Sequence, residues 1–153
     1  MRSRIAIGAA LALATASLVG GAVAEDWKPA TVVPADKRPW TKIGDLVVAH
    51  VAGDRNAQGS FYVSHVTYPK GVRNLPHTHP DQRYVTVLEG TFYQGFGGEY
   101  DESKLQALPP GSIIVIPAGT PHFGIARDSD VTLQESGIGP TATTPWPKAA
   151  SAK

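Results

Sequence analysis

Turn-forming residues divide this chain into short segments, and this pattern is the strongest constraint on its fold. The 153 residues include 16 glycines and 13 prolines, which indicates numerous turns rather than long helices. Clusters with strong turn chemistry, such as Pro69-Lys70-Gly71 and Pro109-Pro110-Gly111, separate the segments. The pattern favours an all-β domain.

Seven short runs with β-forming composition lie between these turns. Their bounds are 46–51, 60–68, 84–88, 91–96, 112–116, 122–126 and 131–134. About seven strands with frequent turns predict a sandwich or a small barrel. Residues 101–108 have room for one helical turn, which Pro109-Pro110 would end. A hydrophobic fraction of 42% supplies enough apolar material for a core.

The first 24 residues have the pattern of a secretory signal peptide. Arg2 and Arg4 precede an apolar run over 5–19, and the segment ends in the small residues Ala22-Val23-Ala24. The run is short for a membrane anchor, and Gly20-Gly21 ends it early. We predict cleavage after Ala24 and a periplasmic or secreted protein with no membrane span.

Cleavage would divide the chain into a signal peptide at 1–24, an N-terminal arm at 25–45, a β-barrel domain at 46–140 and a C-terminal tail at 141–153. The chain has 14 basic residues, of which 12 would remain, against 13 acidic ones. A net charge near −1 provides no basic excess for binding nucleic acid. The absence of cysteine excludes disulfides, thiolate metal ligands and a cysteine nucleophile.

Three of the five histidines lie in two segments that suit a metal ion. His77 and His79 are two residues apart, so in a strand their imidazoles would share one face. His122 follows a turn that begins another strand. Imidazole nitrogen suits zinc, iron, manganese and nickel. For His50 and His65 we prefer an ordinary surface or core role, but His65 is also the best candidate for a spare general base.

The spacing of these segments resembles the two motifs of the cupin superfamily. Gly71, five residues, His77-x-His79 and then Gly90 fit the first motif, and Gly111, five residues, Pro117-x-Gly119, two residues and His122 fit the second. The chain is similar to small exported single-domain cupins over residues 45–140. The resemblance implies a small jelly-roll (cupin) β-barrel, one divalent transition metal (zinc, iron, manganese or nickel) near its axis, and a homodimer.

One position departs from the pattern of the family. The acidic ligand falls four residues after the second histidine, and this chain has Arg83 there. In a regular strand Arg83 would share an inward face with Val85 and Val87. The terminal polar position of the second motif is also changed, to Ala126. The expected ligand set is therefore reduced to His77, His79 and His122.

This exchange changes the charge of the site by two units. A fixed guanidinium about 5 Å from a dication would be repelled by roughly 6–7 kcal/mol at an effective dielectric of 20. Three outcomes stay open: Arg83 swings aside, it pairs with an anionic ligand that also meets the metal, or the metal is lost. Asp81 or Glu89 could neutralise Arg83.

The sequence therefore predicts an exported metal-binding cupin that acts on a small anionic organic molecule, with Arg83 orienting its acid group. The candidate catalytic residues are His65 and Arg83, and the candidate ligand-binding residues are Arg83, Tyr62, Tyr93 and Gln134. Fold and motifs do not select a reaction, so enzymatic activity stays open. The alternatives are a non-catalytic binding or sensing barrel that has weakened or lost its metal, and a histidine cluster that only stabilises the fold.

Overall fold

Strands make up nearly all of the regular structure in residues 30–146, the part of the chain that the computed structural model describes. The strands are β1 (Trp40–Ile43), β2 (Leu46–Ala52), β3 (Phe61–Tyr68), β4 (Arg73–Thr78), β5 (Arg83–Glu89), β6 (Phe92–Phe96), β7 (Gln106–Leu108), β8 (Ile113–Ile116), β9 (His122–Ile125), β10 (Val131–Ile138) and β11 (Thr144–Pro145). Two short 3₁₀ turns cover Ala35–Lys37 and Glu102–Lys104. No helix within the described range has the length and apolar character needed to cross a membrane. The predicted signal peptide lies outside the described residues.

The strands form two antiparallel sheets. One has six strands in the order β1-β2-β3-β10-β5-β8, and the other has five in the order β11-β4-β9-β6-β7. Buried residues of both sheets share one core, in which the rings of Tyr68 and Phe92 lie 5.3 Å apart between centroids. This architecture confirms the prediction of an all-β jelly roll.

All seven predicted runs are strands, with ends shifted by a few residues. The sequence did not reveal β1, β4, β7 or β11. Pro76 lies within β4 although proline cannot donate a hydrogen bond to the ladder. The register of β4 and β9 shifts around this proline, between Asn74 and His77. The structure therefore tolerates Pro76 at an irregularity of the pairing.

Alternation along the strands decides which side chains face the core. On β5, Arg83, Val85 and Val87 are buried while Tyr84 is exposed. This alternation confirms the prediction that Arg83 shares an inward face with the two valines. On β3, Tyr62, Ser64, Val66 and Tyr68 are buried and the residues between them are only partly so.

The first glycine of each motif makes a tight turn that leads towards a strand. Gly71 has φ = 83° and Gly111 has φ = 87°, a left-handed conformation that strongly favours glycine. The amide of Gly71 donates to the carbonyl of Ala126, and that of Gly111 donates to the carbonyl of Val87. The backbone geometry therefore favours glycine at both positions, and each of them precedes one of the two histidine segments.

Candidate metal centre

Three buried histidines converge at neighbouring strands of the five-stranded sheet. His77 is the penultimate residue of β4 and lies opposite His122 at the start of β9, and His79 follows β4 directly. The ring centroids lie 4.2 Å apart for His77 and His122, 4.7 Å for His77 and His79, and 5.1 Å for His79 and His122. One nitrogen of each ring lies within 4.8 Å of the other two. The structure thus brings together the three histidines that the motif spacing predicted.

A backbone carbonyl orients each imidazole through its Nδ1. The distances are 2.7 Å from His77 to the oxygen of Leu75, 2.7 Å from His79 to that of Ala142, and 2.9 Å from His122 to that of Thr120. Because a carbonyl only accepts, Nδ1 must carry the proton in each ring, and Nε2 then offers a lone pair. Metal-ligating histidines are held in this way by outer-shell partners.

The lone pairs face each other closely. Nε2 of His77 lies 3.1 Å from Nε2 of His79, and with both Nδ1 atoms protonated neither nitrogen has a hydrogen to donate. A cation between them would turn this contact of two acceptors into a favourable one. The donor set therefore fits a transition metal that accepts imidazole nitrogen.

Burial keeps these imidazoles neutral. Loss of solvent lowers the pKa of all three below the usual histidine value, to about 3 for His79 and about 4 for His122. The positive charge of Arg83 lowers the pKa of His79 further. Repulsion from His77, when that ring is protonated, lowers the pKa of His122 in the same way. Neutral imidazole is the form that binds metal, so protons would compete with a metal only in strongly acidic solution.

Arg83 is buried beside the histidines, but protein groups hold its guanidinium. Nη1 donates to Glu135 at 2.9 Å, and Nη2 donates to the hydroxyl of Thr141 at 2.7 Å. Nε lies 3.6 Å from Asp81, near enough for charge attraction but without a hydrogen-bond partner. The repulsion expected from a fixed cation is therefore offset within the protein. Each terminal nitrogen donates one hydrogen bond to the protein, which fixes the position of the guanidinium.

Asp81 neutralises Arg83 as the sequence suggested, whereas Glu89 does not. Glu89 is exposed at the end of β5. Asp81 is buried and accepts hydrogen bonds from the hydroxyls of Tyr62, at 2.6 Å, and Thr141. Sequence reasoning missed the second acid, Glu135, because the predicted run ended at residue 134. The strand continues to Ile138, and alternation from the buried Leu133 would have identified the position.

A cavity of about 230 Å³ lies next to the histidines. Its wall combines apolar side chains with a similar number of polar and charged ones, which can orient a small organic ligand. Glu135 is the one acid among the described residues that line it. Polar lining residues that sequence reasoning did not identify are Arg55, Asn74, Gln94, Glu135 and Thr143. Gln94 shares the buried face of β6 with Phe92. The two-residue spacing from Phe92 is the sequence signal that could have identified Gln94.

Three of the candidate residues do not line this cavity. His65 and Gln134 lie on the outer face of the six-stranded sheet, where His65 Nε2 is 3.2 Å from the amide oxygen of Gln134. Tyr93 donates to Asp128 at 2.6 Å on the surface. The physical reason is the two-residue period of a strand: each lies one position away from an inward side chain.

Tyr62 and His50 lie beside the site without lining the cavity. The Tyr62 side chain is buried, and its hydroxyl is bound to Asp81. His50 Nδ1 lies 3.0 Å from the hydroxyl of Ser64, which agrees with the ordinary structural role that we preferred for it. Of the four candidate ligand-binding residues, only Arg83 lines the cavity.

Residues 140–146 form a strap that completes the site. Its residue Ala142 orients His79, and Thr141 bonds to both Arg83 and Asp81. Strand β11 of the strap pairs with β4, placing Pro145 opposite His77. The start of the predicted tail is therefore part of the site.

Sequence comparisons support the interpretation of the motifs. The family model of the cupin domain matches residues 64–133, a range that includes the three histidines and Arg83. Germin-like protein subfamily 1 member 17 of Arabidopsis thaliana is 41% identical over 64 residues, which cover 39% of this chain and 29% of that protein. Germin-like protein 8-11 of Oryza sativa subsp. japonica is 38% identical over 64 residues, or 40% of this chain and 29% of that protein. The chain thus spans less than a third of the length of these relatives.

Solved structures share the fold. KdgF from Halomonas sp. has a TM-score of 0.59 at 21% identity, over 71% of this chain and 94% of that one. The DMSP lyase DddQ from Ruegeria pomeroyi has a TM-score of 0.60 at 19% identity, over 76% of this chain and 64% of that one. A salicylate 1,2-dioxygenase from Pseudoaminobacter salicylatoxidans was solved in complex with gentisate. Its TM-score is 0.57 at 14% identity, over 74% of this chain and 32% of that one. At these identities the likeness concerns the fold alone.

We predict that Thr141→Val destabilises the metal-free protein by about 1–3 kcal/mol, because it removes the hydroxyl shared by buried Arg83 and Asp81. The free energy of unfolding in urea measures this. The control is Thr41→Val, on the exposed strand β1, which should change stability by less than about 0.5 kcal/mol. Equal effects of the two substitutions would contradict a structural role for the strap hydroxyl.

Proposed function

Because the chain belongs to the cupin superfamily, we propose that it binds one divalent transition metal through His77, His79 and His122 and takes a small anionic organic molecule beside it. The observation that carries this proposal is the orientation of the rings. All three Nδ1 atoms donate to carbonyls, so the Nε2 lone pairs can meet one ion.

The donor chemistry limits the identity of the metal. Three neutral imidazoles suit zinc, iron, manganese or nickel, and cysteine is absent from the sequence. Three protein ligands would leave positions open for a ligand or water. When bound, such a metal can polarise a carbonyl or lower the pKa of water. The residues of the chain contribute a small cavity and fixed imidazole orientations.

The proposed ligand is small because the cavity is small, and it is anionic because the histidines add no negative charge to the metal. The predicted role of Arg83 changes here. Its terminal nitrogens each donate one hydrogen bond, to Glu135 and Thr141, so in this proposal the metal, and not Arg83 alone, binds the acid group of the ligand. That the salicylate dioxygenase neighbour was solved with gentisate supports an organic ligand in a fold of this kind.

A second candidate function is non-catalytic binding or sensing of the same ligand. The ion pair of Glu135 with Arg83 favours it. Because Glu135 is the one acid among the described lining residues and already holds a cation, no free general base faces the cavity from this part of the chain. Export stays a prediction, because the signal peptide lies outside the described residues.

We also propose a homodimer formed through the outer face of β5 and β8. Tyr84 and Val115 lie opposite each other on this face, and they are exposed by 46% and 51%. Ile113 extends the apolar surface with 68% exposure, a patch that suits an interface. Light scattering should give the mass of a dimer, and of a monomer for Ile113→Lys. A wild-type monomer at all concentrations would contradict this proposal.

Metal content of protein purified without a histidine tag tests the proposed metal site. After metal-replete expression we expect about one transition metal per chain, and a loss of most of it in His77→Ala, because two imidazoles bind far more weakly than three. Elemental analysis measures both. His65→Ala is the matched control and should keep the metal, since His65 lies on the outer face. Wild-type protein without stoichiometric metal would refute the proposal.

Cobalt(II) in place of the native metal tests the anionic ligand. We expect small carboxylates such as oxalate or benzoate to change the visible spectrum saturably as they enter the coordination sphere, and neutral benzamide to leave it unchanged. His77→Ala protein should show no such response. A cobalt spectrum that no carboxylate alters would argue against this ligand class while leaving the metal site in place.

A further inference from the structure

We propose that Asp81, Arg83 and Glu135 act as one charged unit that replaces the missing acidic ligand, with Glu135 supplying the negative charge that faces the metal. This inference rests on the proposed metal site. It assigns a positioning role to Glu135, which lies beyond the residues matched by the cupin family model.

The charges of the three side chains sum to that of one carboxylate. Arg83 lies between two acids, 2.9 Å from Glu135 and 3.6 Å from Asp81. With both acids ionised, the unit carries one negative charge. Arg83 and Asp81 are each 4% exposed and Glu135 is 16% exposed as side chains, so solvent screens these charges little.

The two acids are not equivalent. Asp81 is held on the far side of Arg83 by the hydroxyls of Tyr62 and Thr141, and it does not line the cavity. Glu135 lines the same cavity as the three histidines, and Arg83 is its one hydrogen-bond partner in the described part of the chain. The negative charge nearest the cavity therefore comes from Glu135.

The backbone leaves room for this unit. Gly137 lies opposite Arg83 in the pairing of β10 with β5. A Cβ atom at this position would lie 2.7 Å from Oδ2 of Asp81 and 3.0 Å from the hydroxyl of Tyr62. A side chain here would displace the groups that hold Arg83, so the glycine and the charged unit depend on each other.

Removing one charge should change metal affinity in a direction that the sum predicts. Glu135→Gln leaves Arg83 and Asp81 to cancel, and the site loses its negative charge. Changes to groups around metal ligands typically alter affinity about 10- to 100-fold. Arg83→Met leaves two acids, and the double variant Arg83→Met/Glu135→Gln leaves Asp81 alone, which restores the original sum.

Zinc affinity of the metal-free protein, measured by competition with a chelator, tests this. We expect Glu135→Gln to weaken binding about 10- to 100-fold, Arg83→Met to strengthen it, and the double variant to return close to wild type. Glu135→Asp keeps the charge and should retain most of the affinity. The matched control is Glu89→Gln, an exposed acid of the same sheet, which should bind zinc as wild type does.

The outcomes separate this inference from the proposed function. If His77→Ala loses zinc but Glu135→Gln binds it as wild type does, the metal site stands and the charged unit is refuted. If the double variant stays as weak as Glu135→Gln, Glu135 acts as a direct ligand and charge compensation is refuted. If wild-type protein binds no zinc, the proposed function itself fails. Circular dichroism spectra that match wild type establish that each variant is folded. If Glu135→Gln does not fold, Glu135→Asp provides the test.

Discussion

The site depends on three hydrogen bonds from imidazole nitrogens to backbone carbonyls. They fix the tautomer of each ring and direct three lone pairs to one region. Two of the acceptors, Leu75 and Thr120, precede their histidines by two residues, so the local backbone orients these two rings. The third, Ala142, belongs to a segment 63 residues further along the chain. One ring of the site is therefore positioned only when the strap is in place.

The jelly roll explains how the two motifs meet. Each motif begins at a left-handed glycine, and the antiparallel pairing of β4 and β9 places His77 opposite His122. The amide of Gly119 in the second motif donates to the carbonyl of His79 in the first, at 2.8 Å. Turn geometry and strand pairing thus bring the ligands together before any metal contributes. A preformed cluster of neutral imidazoles is costly to protonate, as the lowered pKa values of His79 and His122 show.

Arg83 stands at the position where the cupin motif has its acidic ligand. The negative charge lost there is supplied instead by the neighbouring acids Asp81 and Glu135. A guanidinium buried alone next to a dication would oppose metal binding by several kcal/mol. Here Asp81 and Glu135 flank it, and Thr141 takes a further donor. A buried charge of this kind is tolerated only when it is paired and hydrogen-bonded. The arrangement makes Arg83 an internal link between two acids.

The sequence by itself determined the fold class, the three converging histidines and the inward position of Arg83. These follow from motif spacing and from the two-residue period of a strand, which are local properties of the chain. Only the tertiary structure decided that Glu135 faces the cavity, that the strap completes the site, and that His65, Tyr93 and Gln134 face away. Strands such as β4 and β11 form because a distant neighbour supplies their hydrogen bonds, and the partners of Arg83 lie 52 and 58 residues away. Contacts over such separations depend on register between strands, which no local pattern encodes.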